Sequence, residues 1–393
     1  MPRERLTAIL VLLTVTSCTS DSSDTSDSLE SEEDIDARIA HLVEMADPRT
    51  PEERAEDAEI RERFADAIVV DALAVGAIGW AAVGFTEDHF ADLAAHEREH
   101  DFTMFSTTAS NGGEGAKPVF EVLNVTREWI GERSDDFMVI QSVQDILDAE
   151  AQGKTGIMLN FQSADALEDD LANVARFYEA GVRQINFTYN IPNSWAQGTT
   201  ANSGEDEGLS AMGEDLVREL NRVGIIVDCS HSSDQTCIEA ASITTKPMVM
   251  SHTNARALMD IDRNSRDEAM RAVAETGGAI CVNYLGGFLN DRGDATPPAI
   301  AEHVQYVREL VGVEATCAGV DYVQNYGVAL RPVIANPEKY PPEQGYGSET
   351  QMAPPGDIWG VARVLEEQYG WTEEEIRGYL GENILRVYRA NWQ

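Results

Sequence analysis

The sequence predicts a single (β/α)8 barrel of the TIM type, an α/β fold. Three observations carry that prediction. Apolar strand-like runs alternate with helical patterns over roughly 300 residues, the rhythm of a parallel sheet with crossover helices. Nine such runs can be read, enough for eight barrel strands and one extra. No glycine-rich dinucleotide fingerprint follows the first of them, which counts against a doubly wound open sheet, the next architecture in line. The 393 residues, 43% of them hydrophobic, suffice for one large core.

The elements follow in order. Met1 to Ser17 reads as a signal peptide, with Arg3 and Arg5 ahead of an apolar run, Leu6 to Val15, that is too short to span a bilayer. Val15-Thr16-Ser17-Cys18 resembles a bacterial lipobox, which implies lipidation of Cys18 and a membrane anchor on the periplasmic or extracellular side of the cell envelope. Residues 18–36 form an acidic Ser/Asp/Glu-rich linker without a basic residue. The barrel domain is expected over 37–393, opening with a helical stretch to about Phe64. Strands are expected at Ala67–Val70, Phe102–Ser106, Phe137–Ile140, Thr155–Leu159, Gln184–Thr188, Ile225–Cys229, Pro247–Met250, Ala279–Asn283 and Thr316–Val320, with Phe137–Ile140 the least strand-like. Helices between them include Glu87–His100, Ala164–Ala180, Leu209–Val223, Asp234–Ser242, Ser265–Thr276 and Ile300–Val311.

Composition narrows the partners. There are 69 acidic and 29 basic residues, a net charge of −40, and the only lysines are Lys117, Lys154, Lys246 and Lys339. Such a surface repels nucleic acid and anionic head groups, so no nucleic-acid partner is expected. Either a saline habitat or an acidic surface of no special meaning accounts for it. Cys229, Cys281 and Cys317 lie in apolar runs and read as buried thiols, while Cys237 falls in a helical pattern. A Cys229–Cys237 bridge is compatible with an oxidising compartment, but their spacing does not demand it. His41, His89, His96, His100 and His303 fall in helical patterns and read as solvated or structural, although His96 and His100, four apart, are spaced to take up adventitious metal.

Barrel chemistry sits at the C-terminal ends of strands. Two consecutive strands end alike, in Asp228-Cys229-Ser230-His231 and in Met250-Ser251-His252, and a third delivers Asp321 after Gly319-Val320. Two imidazoles and a carboxylate are a ligand set that zinc favours. The alternative is three loop or helix caps.

Here a family resemblance becomes specific. Asp228-Cys229-Ser230-His231-Ser232-Ser233, Pro247-Met248-Val249-Met250-Ser251-His252-Thr253-Asn254-Ala255 and Arg263-Asn264 followed by Asp267 resemble successive motifs of the renal (membrane) dipeptidase family of metallopeptidases. Gly208-Leu209-Ser210, Leu220-Asn221-Arg222-Val223-Gly224 and Gly381-Glu382-Asn383-Ile384-Leu385-Arg386-Val387 match in order. The resemblance implies a barrel of the metal-dependent hydrolase type. It implies metal-ligand roles for His231 and His252, a substrate-carboxylate role for Arg263, and proton transfer by Asp321. It also marks departures. Where the family carries its first-strand metal ligands, this chain reads Asp71-Ala72-Leu73-Ala74-Val75; Gln162 stands for the bridging Glu; Tyr189 stands for the His of a Thr-His-Asn motif. The expectation is therefore one Zn²⁺ rather than two, on His231, His252 and Gln162, with Asp321 and Tyr189 catalytic and Tyr189 also touching substrate. A dipeptide or related small amide would be the substrate, and a homodimer is compatible with the resemblance. A catalytically silent ligand-binding barrel, and hydrolysis of another bond such as a lactone, are the alternatives.

Overall fold

A computed structural model describes residues 36–37, 50–78, 85–323, 326–346 and 350–392. The expected signal peptide, Cys18 and all but the last residue of the expected linker lie outside the described residues. Among the described residues no helix is long and apolar enough to cross a membrane.

The described residues form nine strands: β1 Val70–Ala74, β2 Met104–Ser110, β3 Phe137–Val139, β4 Thr155–Phe161, β5 Val182–Asn186, β6 Ile226–Asp228, β7 Val249–Thr253, β8 Ala279–Val282 and β9 Thr316–Ala318. Every ladder is parallel, and the order β1-β2-β4-β5-β6-β7-β8-β9 makes a nearly closed eight-stranded barrel. β3, the weakest strand in the sequence, is the extra one and pairs only with β4, off this path. The seam between β9 and β1 is tied by Asp321 N donating to Leu73 O at 2.8 Å and by Val320 N donating to the Asp71 carboxylate at 2.8 Å.

The helices are α1 Pro51–Arg63, α2 Glu87–Glu99, α3 Ala116–Glu132, α4 Val143–Gln152, α5 Ala172–Glu179, α6 Ala211–Val223, α7 Asp234–Ile243, α8 Asp267–Glu275, α9 Gly286–Leu289, α10 Pro297–Val311, α11 Tyr326–Ala335, α12 Asp357–Tyr369, α13 Glu373–Arg377 and α14 Asn383–Asn391. Their starts follow local chemistry. Ser210 and Ser233 cap α6 and α7, and Ser142 with Asp145 forms a capping box on α4. The helix expected over 164–180 is broken. Glu168 and Asp169 adopt left-handed backbone, φ 53° and 56°, between a 3-10 turn and α5. Glu168 instead lends its carboxylate to Ala116 N (3.0 Å) at the start of α3, whose N-cap Gly115 has no side chain to offer.

One large apolar cluster joins outward-facing strand residues such as Leu159, Ile185 and Val227 to the helices. A second contains Met104, Met158, Ile226, Val249, Ala279, Cys281 and Cys317. Above it lies a polar layer. Asn160 Nδ2 donates to Ser106 Oγ (2.7 Å), and Gln184 Nε2 donates to Asp228 Oδ2 (2.9 Å).

The cysteines depart from expectation. The four cysteines among the described residues are all disulfide-bonded, Cys229 to Cys237 and Cys281 to Cys317, so the reading of three buried free thiols is corrected. The cause is tertiary: Cys281 and Cys317 are register partners on β8 and β9, 36 residues apart in sequence, which local patterning does not reveal.

Candidate functional site

The turn after β6 carries His231 in left-handed backbone, φ 65°, a conformation that costs a non-glycine residue energy and occurs often at functional sites. It places the imidazole against that of His252, at the end of β7, with the two Nε2 atoms 2.7 Å apart. The neighbours fix the tautomers. Asn190 Nδ2 donates to Lys339 O (2.8 Å), so its Oδ1 faces His231 Nδ1 at 2.7 Å and can only accept. His231 therefore carries its proton on Nδ1 and presents a lone pair at Nε2. His252 Nε2–H points at that lone pair, and its Nδ1 accepts from Ser251 Oγ at 2.8 Å. Burial, and then the Arg263 charge, hold both rings well below the usual histidine range, so both are neutral.

Arg263 is fully buried. Its Nε donates to Tyr346 Oη (3.1 Å), its Nη2 donates to His252 O (2.9 Å), and the same nitrogen lies 3.4 Å from His231 Nε2. The guanidinium sits 5.1 Å over the Phe288 ring. Asn264 fixes the loop, donating to Met259 O and Phe288 O, both at 2.9 Å. Tyr189 stacks on His231 with ring centroids 4.0 Å apart, and Lys339 Nζ lies 5.0 Å from the Tyr189 centroid. Burial keeps the Tyr189 hydroxyl protonated, far above the ordinary tyrosine value. Asp321, also in left-handed backbone at φ 58°, accepts from Asn283 Nδ2 at 2.8 Å. Burial pushes its carboxyl up to about 6, although Arg263 and Asn283 pull the other way.

The fold thus brings His231, His252, Arg263 and Tyr189 into contact, with Asp321 within the field of Arg263. Gln162 is buried at the end of β4, where its Nε2 donates to Thr108 Oγ1 (2.7 Å), and among the described residues it makes no hydrogen bond to either imidazole. Sequence reasoning missed Asn190, Tyr346, Tyr340 and Lys339. Asn190 was visible only as the neighbour of Tyr189. The other three come from an irregular stretch around Pro341 and Gly345 that carries neither helical nor strand periodicity. His303 is structural, as expected. Its Nδ1 accepts from Ala255 N, and its Nε2 donates to Leu289 O.

Leu73 and Val75 are packed into an apolar cluster with Phe85, Ile261, Leu285 and Phe288. Neither Leu73 nor Val75 offers a lone pair. Among the described residues no group of three or more His, Cys, Asp or Glu side chains is arranged to hold a metal. A two-metal centre therefore does not fit. The imidazole pair fits one ion by donor type, since both rings are neutral and Asn190 reserves the His231 Nε2 lone pair. A tetrahedral zinc keeps two ligand nitrogens roughly 3.3 Å apart. The observed 2.7 Å spacing means the rings must part, the His252 proton must move from Nε2 to Nδ1, and Arg263 must release His231, before an ion enters.

The sequence and the fold both have relatives among known proteins. A model of the membrane dipeptidase family, peptidase family M19, matches residues 78–341. An uncharacterized dipeptidase of Schizosaccharomyces pombe is 29% identical over 279 residues, 70% of this chain and 62% of that protein, so the match spans less than two thirds of the relative. The crystal structure of an amidohydrolase from Pseudomonas aeruginosa superimposes with a TM-score of 0.75 at 29% identity, covering 86% of this chain and 99% of that one. A metallopeptidase from Rhodobacter sphaeroides, liganded with a phosphinate mimic of the dipeptide L-Ala-D-Ala, shares the fold with a TM-score of 0.65 at 16% identity, over 83% of this chain and 100% of that one.

Proposed function

The chain belongs to the membrane dipeptidase family, and from that premise we propose that it hydrolyses a dipeptide or a related small amide bearing a free carboxylate, in a site for one metal ion rather than two. The observation that carries this reading is the convergence of the neutral His231–His252 pair with the buried Arg263 guanidinium. A zinc ion held by His231 and His252, with Gln162 as a further donor, would act as a Lewis acid and bring bound water to a pKa of about 7.

The chain's own residues supply the rest. Arg263 offers a planar fork that matches a carboxylate in two parallel hydrogen bonds and so orients the substrate. Asp321, poised at about 6, accepts a proton from the attacking water and returns it to the leaving amine, so that amide and water become acid and amine with no net proton change. The Tyr189 hydroxyl, kept protonated, donates to the oxygen that gains charge. Tyr346 and Asn190 hold Arg263 and His231 in place. Anchoring to the cell envelope through Cys18 belongs to the same proposal, and it is supported by the two buried disulfides, which persist in oxidising compartments.

The test is metal per chain after exhaustive dialysis, with hydrolysis of a dipeptide panel with and without added Zn²⁺. One equivalent of zinc, lost together with hydrolysis in His231→Ala and His252→Ala while the fold survives, is the expected result. Two equivalents in the wild type would overturn the single-ion site. No metal and no hydrolysis would favour a silent binding barrel, the reading that the Arg263 contact to His231 Nε2 supports.

A further inference from the structure

Between the barrel wall and helix α2, two carboxyl groups are buried with little compensation. Asp71 on β1 and Glu97 on α2 are both 0% exposed. Asp71 Oδ1 is fully used, accepting from Leu73 N (3.0 Å) and from Val320 N (2.8 Å). Asp71 Oδ2 and both oxygens of Glu97 have no hydrogen-bond partner. Helix α2 packs Phe90, Leu93 and Ala94 against Ala74 and against Phe105, the register partner of Asp71, and Glu97 continues the same buried helix face, which turns its carboxyl toward that of Asp71. Leaving three carboxylate oxygens buried and unpaired is expensive, and two buried carboxylates facing each other do not both ionise.

We infer that Asp71 and Glu97 share one proton, with Glu97 donating to Asp71 Oδ2, and that this pair is a positioning device for Asp321. The link is short. Asp71 Oδ1 holds Val320 N, the next residue is Asp321, and Asp321 N is held by Leu73 O. At the seam, where backbone pairing between β9 and β1 thins out, a side-chain carboxylate takes the place of a strand acceptor and fixes the strained backbone of the residue that the proposed mechanism uses as acid and base. The positioning role rests on the hydrolase reading. The proton-sharing pair does not, so its test uses folding and exchange rather than hydrolysis.

Electrostatics agree. Burial raises both carboxyls well above the usual range, and Asp71 adds to the rise at Glu97. The other titratable groups whose charge couples to Asp71 are Asp321, Tyr284, Tyr379 and Tyr388; the tyrosines are held protonated by burial, well above their ordinary value. A raised carboxyl contributes stability that is complete below the unfolded value near 4 and is lost as pH rises toward the folded value. Glu97→Gln keeps a hydrogen-bond donor toward Asp71 that cannot be lost to base.

The experiment is the folding equilibrium of the full chain by denaturant titration from pH 5 to 9, for wild type and Glu97→Gln, with hydrogen exchange of the Val320 amide over the same range. The wild-type folding constant, relative to the variant, is expected to fall tenfold per pH unit while the pair keeps its proton, the signature of one proton. The Val320 protection factor should fall in the wild type and stay level in the variant. Parallel stability curves overturn the shared proton. Equal Val320 protection in both chains overturns the positioning role. Asp71→Asn, which keeps Oδ1 and also places an amide between the two groups, must reproduce the Glu97→Gln result. Failure of both variants to fold would also overturn the proposal, because either amide preserves the bond.

Discussion

Asp321 shows the conflict between stability and use at the level of one side chain. Its carboxyl is pushed up to about 6 by burial, so the folded state holds a proton that the unfolded chain releases near 4. The stability this confers is complete below the unfolded value and disappears as pH climbs through about 6. At neutral pH the folded protein carries an unwelcome charge. Asp321→Asn should therefore raise stability at pH 7.5 by on the order of 2 kcal/mol. It should also remove hydrolysis, whose acid limb in the wild type should bend near pH 6, as melting curves and a pH–rate profile would show. A variant that is inactive and less stable at pH 7.5 would contradict the desolvation argument. The histidines and Asp321 were legible in the sequence because strand ends announce themselves by an apolar run followed by a polar residue. Asn190 and Tyr346 were not, since the Tyr346–Asn190 contact, 3.4 Å, spans 156 residues and no local pattern encodes it.

At the scale of elements, the strands were legible in type and displaced in extent. The first was expected to end at Val70, ahead of a charged residue. It begins there and runs to Ala74, because Asp71 feeds its carboxylate back to Leu73 N and across to Val320 N instead of facing water. The break in the 164–180 helix has a similar origin in a side chain serving a neighbouring element. The turn bearing His231 is clamped by the Cys229–Cys237 disulfide, which ties the end of β6 to α7 across a separation of 8 residues. In the chain-entropy picture, replacing both of its cysteines by alanine should lower stability by roughly 2–3 kcal/mol, and replacing Cys281 and Cys317 by about 4 kcal/mol, because the latter closes the longer loop. Chemical denaturation of the two double variants measures this. The reverse order would show that native-state strain outweighs loop closure.

For the whole molecule, charge is the dominant property. With a net charge of −40, self-repulsion opposes the compact state, and the many surface ion pairs made by arginine, such as Arg218 with Glu214 and Asp215, each offset little of it. The melting temperature should climb as NaCl rises from 0.1 M to 1 M, where the Debye length shrinks from about 10 Å to about 3 Å. A melting temperature indifferent to salt would mean that the acidic groups are spaced widely enough to ignore one another. The (β/α)8 architecture was legible at this scale because its repeat is long and regular, while the irregular stretch around Tyr340 and Tyr346 was not, having no repeat to read.

The Cys281–Cys317 cross-link has a consequence in time as well as in strength. Both sulfurs are shut inside the wall, at 0% and 1% exposure, where no oxidant reaches them once β8 and β9 lie side by side. The bond must be made while the chain is still open. A molecule that closes before meeting an oxidant is sealed in its reduced form, chemically different from its sibling, and only unfolding gives it a second chance.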